Sequence, residues 1–234
     1  MVVIAVDGPS GSGKSSVSKA VARRLGLAFL DTGAMYRAAT LWCTRRGVDL
    51  ADADAVTRAV RVMPLVMGLD PQAPTVHLDG QDVSSAIRTT EVSTQVSKVA
   101  TNLDVRAELR RLQREVIETE TTDAGWSGGA GVVAEGRDIT TVVAPDADVR
   151  VLLTASEEAR LRRRSLEVHG AADAAAVAAT RDQVVRRDRD DATVSQFEVA
   201  ADGVVTVDSS DLDFDQTVDA VLGVVAQVTG TVAR

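Results

Sequence analysis

Cysteine, lysine and asparagine are all scarce in this chain of 234 residues. With Cys43 alone, no intramolecular disulfide can form, and the expectation is a reducing compartment, the cytoplasm. No apolar run approaches the ~18 residues of a membrane span. The opening MVVIAVDG has neither the charged n-region nor the apolar length of a signal peptide. A basic excess is missing too: 26 Lys+Arg stand against 34 Asp+Glu, a net charge of −8, which argues against a general nucleic-acid binder. An anionic ligand must then be met locally, by a few placed cations. Only Lys14, Lys19 and Lys98 are lysines, so one inside a glycine-rich loop stands out. The lone asparagine, Asn102, is followed by Leu103-Asp104, so the N-K-x-D motif with which GTP-binding switch proteins usually read guanine does not occur. What remains is a globular chain, 45% hydrophobic, long enough for one large domain that buries roughly 70% of its unfolded surface.

Residues 2–6 form a short apolar run that stops at Asp7, before a glycine-rich stretch and a helical spacing from Lys14 to Leu25 (Val17, Val21, Leu25). Residues 28–30 read as a second buried strand and 33–46 as a second helix closed by Gly47. This alternation signals βαβ units and a parallel sheet. The middle differs: Pro64, Gly68, Pro71 and Pro74 punctuate strand-like runs at 65–69 and 75–79, with a turn at Asp79-Gly80. A small antiparallel insert is expected there, followed by helices near 90–100 and 105–118. The polar, glycine-rich segment 119–131 (TETTDAGWSGGAG) reads as a mobile surface loop. Strands resume at 132–134 and 149–153. Arginine-rich helices follow near 156–168 and 173–190, with Thr154 and Glu157 at capping-box spacing. A last strand at 203–207 and an amphipathic helix at 214–228 close the chain. No internal repeat is visible, and the alanine-rich 171–179 is plausible but weakly specified helix.

The chemistry starts at the first strand. Gly8, Gly13, Lys14 and Ser15 match G-x-x-x-x-G-K-[ST], directly after a strand and before a helix. Glycines let the backbone wrap a phosphate in conformations that a Cβ resists. The freed N–H groups and the helix dipole then face the anion. The expected nucleotide loop comprises Gly8, Pro9, Ser10, Gly11, Ser12, Gly13, Lys14, Ser15 and Ser16. Lys14 would reach the β- and γ-phosphates, and the Ser15 hydroxyl would help hold Mg²⁺. ATP is the nucleotide expected. The cluster LDTGAMYR falls at the end of the second strand, where ligands of open α/β sheets sit. Thr32 with its helix N-terminus can hold an anion there, and Arg37, about a turn further on, a second phosphate.

Together GPSGSGKSS, LDTGAMYRA, QDVSSAIRT, SKVA before VRAELRRLQR, and EGRDITTVVAPDADV closely resemble bacterial cytidylate kinase over roughly residues 1–225. The resemblance implies transfer of the γ-phosphate of ATP to CMP or dCMP with Mg²⁺, within pyrimidine metabolism. It also implies an α/β P-loop parallel sheet flanked by helices, with a monophosphate-binding insert and a short helical lid. The expected division is a single domain over 1–234. Its core comprises about 1–50, 131–155 and 200–230, its insert about 60–120 and its lid about 156–190. Carried over by motif, Thr32, Arg37 and Arg137 hold the acceptor phosphate, and Ser97, Arg106 and Asp138 read cytosine. A carboxylate suits cytosine's amine. Uracil presents a carbonyl there, so a discrimination of ~2 kcal/mol is expected. Without the resemblance, Arg106 reads as part of a solvated helix face with Arg110, Arg111 and Arg114. Lid arginines Arg160, Arg163 and Arg164 would neutralise the γ-phosphate, with Lys14, Arg160, Arg163 and Arg187 as the catalytic set. Arg187 and Asp191, four apart, match the family's R-D-x-x-D and are expected at the acceptor's ribose and phosphate.

One departure stands out. The family usually carries a further arginine after that pattern and then a Ser-Pro-Leu-like turn, where this chain reads Ala192-Thr193-Val194-Ser195-Gln196-Phe197. Either Arg187 or a lid arginine covers that contact, or acceptor affinity is weaker. A monomer is expected, with small nucleotides as partners and neither membrane nor nucleic acid. Two rival readings share the loop: a kinase for UMP, AMP or a hydroxy acid, and a non-catalytic nucleotide switch.

Overall fold

The computed structural model describes residues 1–170 and 173–230. Of the alanine-rich stretch, 171 and 172 lie outside the described residues. Strand β1 (Val2–Asp7) lies at the centre of an all-parallel sheet ordered β2-β6-β1-β7-β8. It pairs with β6 (Gly131–Gly136) and β7 (Val149–Thr154), while β2 (Ala28–Asp31) and β8 (Val205–Asp208) form the edges. Covered on both faces, β1 is an unbroken apolar run, as parallel strands require. Ile4 and Val6 point to one core with Val17 and Val21 of α1 (Lys14–Leu25) and Val218 and Val221 of α8 (Phe214–Thr229). Ala5 faces the other side, where Leu30, Ala134, Ile117 and Ile139 pack. Each fully buried aliphatic side chain contributes roughly 1.5–3 kcal/mol.

A second core lies beside the sheet. Helices α2 (Thr32–Arg45), α3 (Ala53–Arg61), α4 (Thr90–Ala100) and α5 (Leu103–Glu120) gather around Ala38, Val60, Val99 and Leu109. They pack against an antiparallel sheet of β3 (Leu65–Met67), β4 (Val76–Leu78) and β5 (Gln81–Asp82). The β4–β5 turn has positive φ at both Asp79 (51°) and Gly80 (74°), which is why an Asp-Gly pair sits there. Some elements went unforeseen, β5 and α3 among them. Strand β5 is two polar residues long, and α3 hides in an Asp-Ala repeat capped by Asp52, whose carboxylate accepts from Ala55 N at 2.9 Å. Trp42 of α2 is buried beneath the Arg46 guanidinium (3.7 Å) and donates to Ala59 O at 2.9 Å, joining α2 to α3. Asn102 caps α5, accepting from Asp104 N and Val105 N.

Helices α6 (Glu157–His169) and α7 (Ala174–Ala192) pack together as a hairpin. The expected Thr154–Glu157 capping box is corrected: Ser156 is the N-cap and accepts from Ala159 N, because Thr154 remains in the extended end of β7. The reciprocal box occurs at α8 instead, between Asp213 and Gln216. Segment 121–130 is tied back by Glu120, a buried carboxylate that accepts from Trp126 N (2.7 Å) and Ser127 N (2.9 Å). The expectation of a mobile loop took no account of this anchor.

Candidate active site

The loop after β1 ends in Gly13, left-handed at φ 90°, whose missing side chain leaves the α1 N-terminus open to an anion. Gly11 is also left-handed, and a Cβ there would lie 2.6 Å from Arg160 O, so this glycine lets α6 close over the loop. Lys14 Nζ reaches back to Pro9 O at 3.4 Å, and Ser15 Oγ donates to Glu135 Oε1 at 2.6 Å. These groups border a cavity of about 360 Å³ at the carboxyl ends of β1, β2 and β6. Eight basic side chains line it against four acidic ones, in a chain whose net charge is −8. Such a concentration of like charge identifies an anion site.

The protonation states agree. Burial, with the charges of Arg137 and Arg187, lowers Lys14 to about 8. Arg187 is pushed down to about 9 by burial and by the neighbouring Arg37 and Arg137, and its Nε is buried without a hydrogen-bond partner. Arg37 is lowered chiefly by burial, partly offset by Asp31. Burial raises Glu135, and the Asp31 charge adds to the effect. For Asp31 burial acts in the same sense, but Arg37 and Arg88 outweigh it and hold the carboxyl below its ordinary value. An incoming polyphosphate would relieve the cationic strain of Lys14, Arg37 and Arg187 together.

At the end of β2 Thr32 opens α2, its hydroxyl donating to Glu135 O at 2.8 Å, with Arg37 a turn further on. Arg137 is braced on four sides. It donates to Gly8 O (2.5 Å), Asp188 Oδ1 (2.9 Å) and Asp191 Oδ2 (3.0 Å), and lies 4.5 Å from the Phe197 ring centroid. Arg187 Nε is 3.7 Å from Asp191 Oδ2, so the two share a face of α7 as the four-residue spacing implied. Asp188 is a hub: it also accepts from Ser10 N at 2.9 Å and from Arg160 of α6. Arg160 in turn holds Ser10 O at 2.9 Å.

Deeper in the cavity, Arg106 of α5 donates to Asp138 Oδ2 at 2.7 Å and to Ser195 Oγ at 2.6 Å, and lies 5.7 Å from the Tyr36 ring centroid. Tyr36 Oη is buried without a partner, and burial pushes its pKa up to about 12. Arg110 lies off the solvated face: its Nη2 and Nε donate to the same Asp138 oxygen at 2.7 and 3.1 Å. Residues of the departing segment 192–197 thus brace two site arginines, Ser195 supporting Arg106 and Phe197 supporting Arg137. Arg187 and Arg164 both line the cavity.

Several expected residues stand apart from it, Ser97, Arg160 and Arg163 among them. Ser97 is half-buried on α4 next to Val96, which lines the cavity while Ser97 does not. Arg163 is spent on Ser209 Oγ (2.9 Å), Ser209 O and Leu212 O (3.1 Å). It borders a second cavity of about 380 Å³, between Gly11, Val17, Leu212, Phe214 and Thr217. Gly8, Pro9 and Ser12 also sit on the loop but outside the main cavity, whereas Ser10, Gly11, Gly13, Lys14, Ser15 and Ser16 line it. Sequence reasoning missed Glu135, Asp188 and Asp7. The Asp7 carboxylate, at the end of β1, accepts from Ile139 N, Thr140 N and Thr140 Oγ1 at 2.7–2.9 Å. It thereby anchors the five-residue π-helical turn Ile139–Val143 that presents Arg137 and Asp138. Its position at the end of an apolar strand was the available signal.

A phosphate-wrapping loop on a parallel sheet, a cation-lined cavity and an arginine-bearing helical hairpin over it define the class of P-loop nucleotide kinases. The family model described as cytidylate kinase matches residues 4–227. A cytidylate kinase of Streptomyces avermitilis is 44% identical over 97% of this chain and 93% of its own length. Those of Cutibacterium acnes and Nocardia farcinica are 47% and 46% identical, over 96% and 98% of this chain and 96% of each relative. The chain belongs to the cytidylate kinase family.

Proposed function

We propose that this protein transfers the γ-phosphate of ATP to CMP or dCMP, giving ADP and CDP or dCDP. The observation that carries the reading is the placement of Arg106 and Asp138 in the same cavity as Lys14, Arg37, Arg137 and Arg187. One pocket thus offers a base-reading pair and a phosphate-binding cluster.

In this reading the loop from Gly8 to Ser16 takes the ATP phosphates, with Lys14 on the β- and γ-groups. Thr32, Arg37, Arg137 and Arg187 hold the acceptor phosphate, and Asp191 meets its ribose. Asp138 accepts from the cytosine amine, while Arg106 serves the ring acceptors; Ser97 would have to approach from the edge of the pocket. Arg160 acts on the γ-phosphate through the loop it already grips, and Arg163 shapes the neighbouring cavity. No general base or covalent intermediate is needed, since phosphoryl transfer is mostly positioning and charge stabilisation. The β-strand core, the insert about 60–120 and the lid about 156–190 are the corresponding working parts, and closure of the lid excludes water.

Magnesium fits the oxygen donors at the loop. Ser15 Oγ lies 2.6 Å from Glu135 Oε1, and the Asp31 charge adjoins that carboxylate. Bound with ATP, the ion would supply charge neutralisation for the phosphates. Ser15 would be its hydroxyl ligand, with Glu135 orienting that hydroxyl. Among the described residues no helix is long and apolar enough to cross a membrane. A cytoplasmic monomer with small nucleotides as its only partners completes the proposal.

ADP release from Mg-ATP, with CMP, dCMP, UMP, AMP or no acceptor in parallel, tests the reading. Release with CMP and dCMP far above the others is expected. Equal, low release in every tube would overturn it.

A further inference from the structure

The Asp138 carboxylate is held asymmetrically. All three N–H groups that reach it, Arg106 Nη2, Arg110 Nε and Arg110 Nη2, converge on Oδ2 at 2.7, 3.1 and 2.7 Å. Among the described residues none donates to Oδ1. Asp138 lines the cavity and Arg110 does not, so Arg110 can act on a ligand there only through Asp138.

We propose that Arg110 is a positioning residue for acceptor-base choice: it locks Asp138 so that Oδ1 alone faces the base, and this lock sets the preference for cytosine over uracil. The inference rests on the CMP-kinase reading above. Its physical basis is the geometry of the fork. Arg106 contributes one N–H to Oδ2, gives others to Ala100 O (3.0 Å) and Ser195 Oγ, and has its Nε buried without a hydrogen-bond partner. A single contact is a hinge, about which a carboxylate can turn. The two donors of Arg110, planar and rigid, remove that freedom. The two arginines stand four residues apart on α5, hence on one face of the helix. Once locked, Oδ1 is an acceptor directed at the base, matched by the cytosine amine and opposed by the uracil carbonyl. A carboxylate free to turn would move away from uracil at little cost, and discrimination would fall.

Arg110→Leu and Arg110→Lys in the full chain test this. kcat and KM are measured for CMP and UMP beside the unmutated enzyme, with melting temperatures for all three. For Arg110→Leu the ratio of kcat/KM for CMP over UMP is expected to fall about tenfold, mainly through KM for CMP. Arg110→Lys, which keeps the charge but not the rigid fork, should fall between the two, and it carries the test alone if the leucine variant does not fold. Equal losses on both acceptors would reduce Arg110 to a structural arginine and overturn the proposal, as would an unchanged ratio. Failure of the underlying reading is distinguishable, because it would show as no cytosine preference in the unmutated enzyme, and this proposal would fall with it.

Discussion

Lys14 is a cation that its own surroundings disfavour. Its pKa of about 8 in the folded chain, against 10.5 for an ordinary lysine, means the folded state binds its proton less well than the unfolded state does. The contribution of this group to stability is therefore lowest below pH 8 and recovers as pH climbs from about 8 to above 10.5. Lys14→Met is expected to raise the melting temperature at pH 7, with the gain shrinking toward pH 10, while turnover drops by orders of magnitude. Calorimetry and an ADP assay on the same samples check both. Polyphosphate restores the proton: ATP binding near pH 8 to 8.5 should take up protons, seen as a binding enthalpy that varies with the ionisation enthalpy of the buffer. A constant enthalpy would mean that Lys14 is already charged in the free site. At this scale the motif residues were legible, since Lys14, Thr32, Arg37, Arg137 and Asp138 lie in contiguous blocks. Their partners were not. Ser15 meets Glu135 across 120 positions and Ser10 meets Asp188 across 178, and no local spacing encodes such pairs.

Helix α7 joins the two halves of the site through one carboxylate. Asp188 ties the tip of the phosphate loop, Arg137 beyond β6 and Arg160 of α6. Asp188→Ala would leave Arg160 without its buried counter-charge and Arg137 with Asp191 alone, at about 3–5 kcal/mol of stability. The milder Asp188→Asn keeps the shape but weakens the charge-assisted bonds, and kcat is expected to fall ten- to a hundredfold with a rise in KM for the acceptor. Steady-state kinetics decide, and unchanged constants would make the hub a packing feature. The helices and central strands were legible from their periodicity and from the spacing of glycines. The exceptions have physical causes. Strand β5 is too short and polar to show alternation, α3 is set by its Asp52 cap and two buried valines, and the turn at Ile139–Val143 exists because Asp7 gathers its N–H groups.

Across the whole molecule the net charge is −8, whereas the cavity is lined by eight basic side chains against four acidic ones. A nucleotide is drawn to that opening, so kcat/KM for CMP should fall several-fold between low salt and ~0.5 M NaCl as screening shortens the reach of the site. Insensitivity to salt would show that steering plays no part. The net charge announced this division, because an acidic chain that carries a phosphate loop must gather its cations in one place. The two tryptophans fall on opposite sides of the same division. Trp42, 7% exposed, is packed between α2 and α3 less than two turns beyond Arg37, whereas Trp126, 52% exposed, lies before β6, at the end of the sheet away from the cavity. The protein therefore carries its own paired fluorophores: a blue-shifted, quencher-resistant emitter that senses the packing of α2 against α3, and a red-shifted, acrylamide-accessible one that serves as an internal reference without any label.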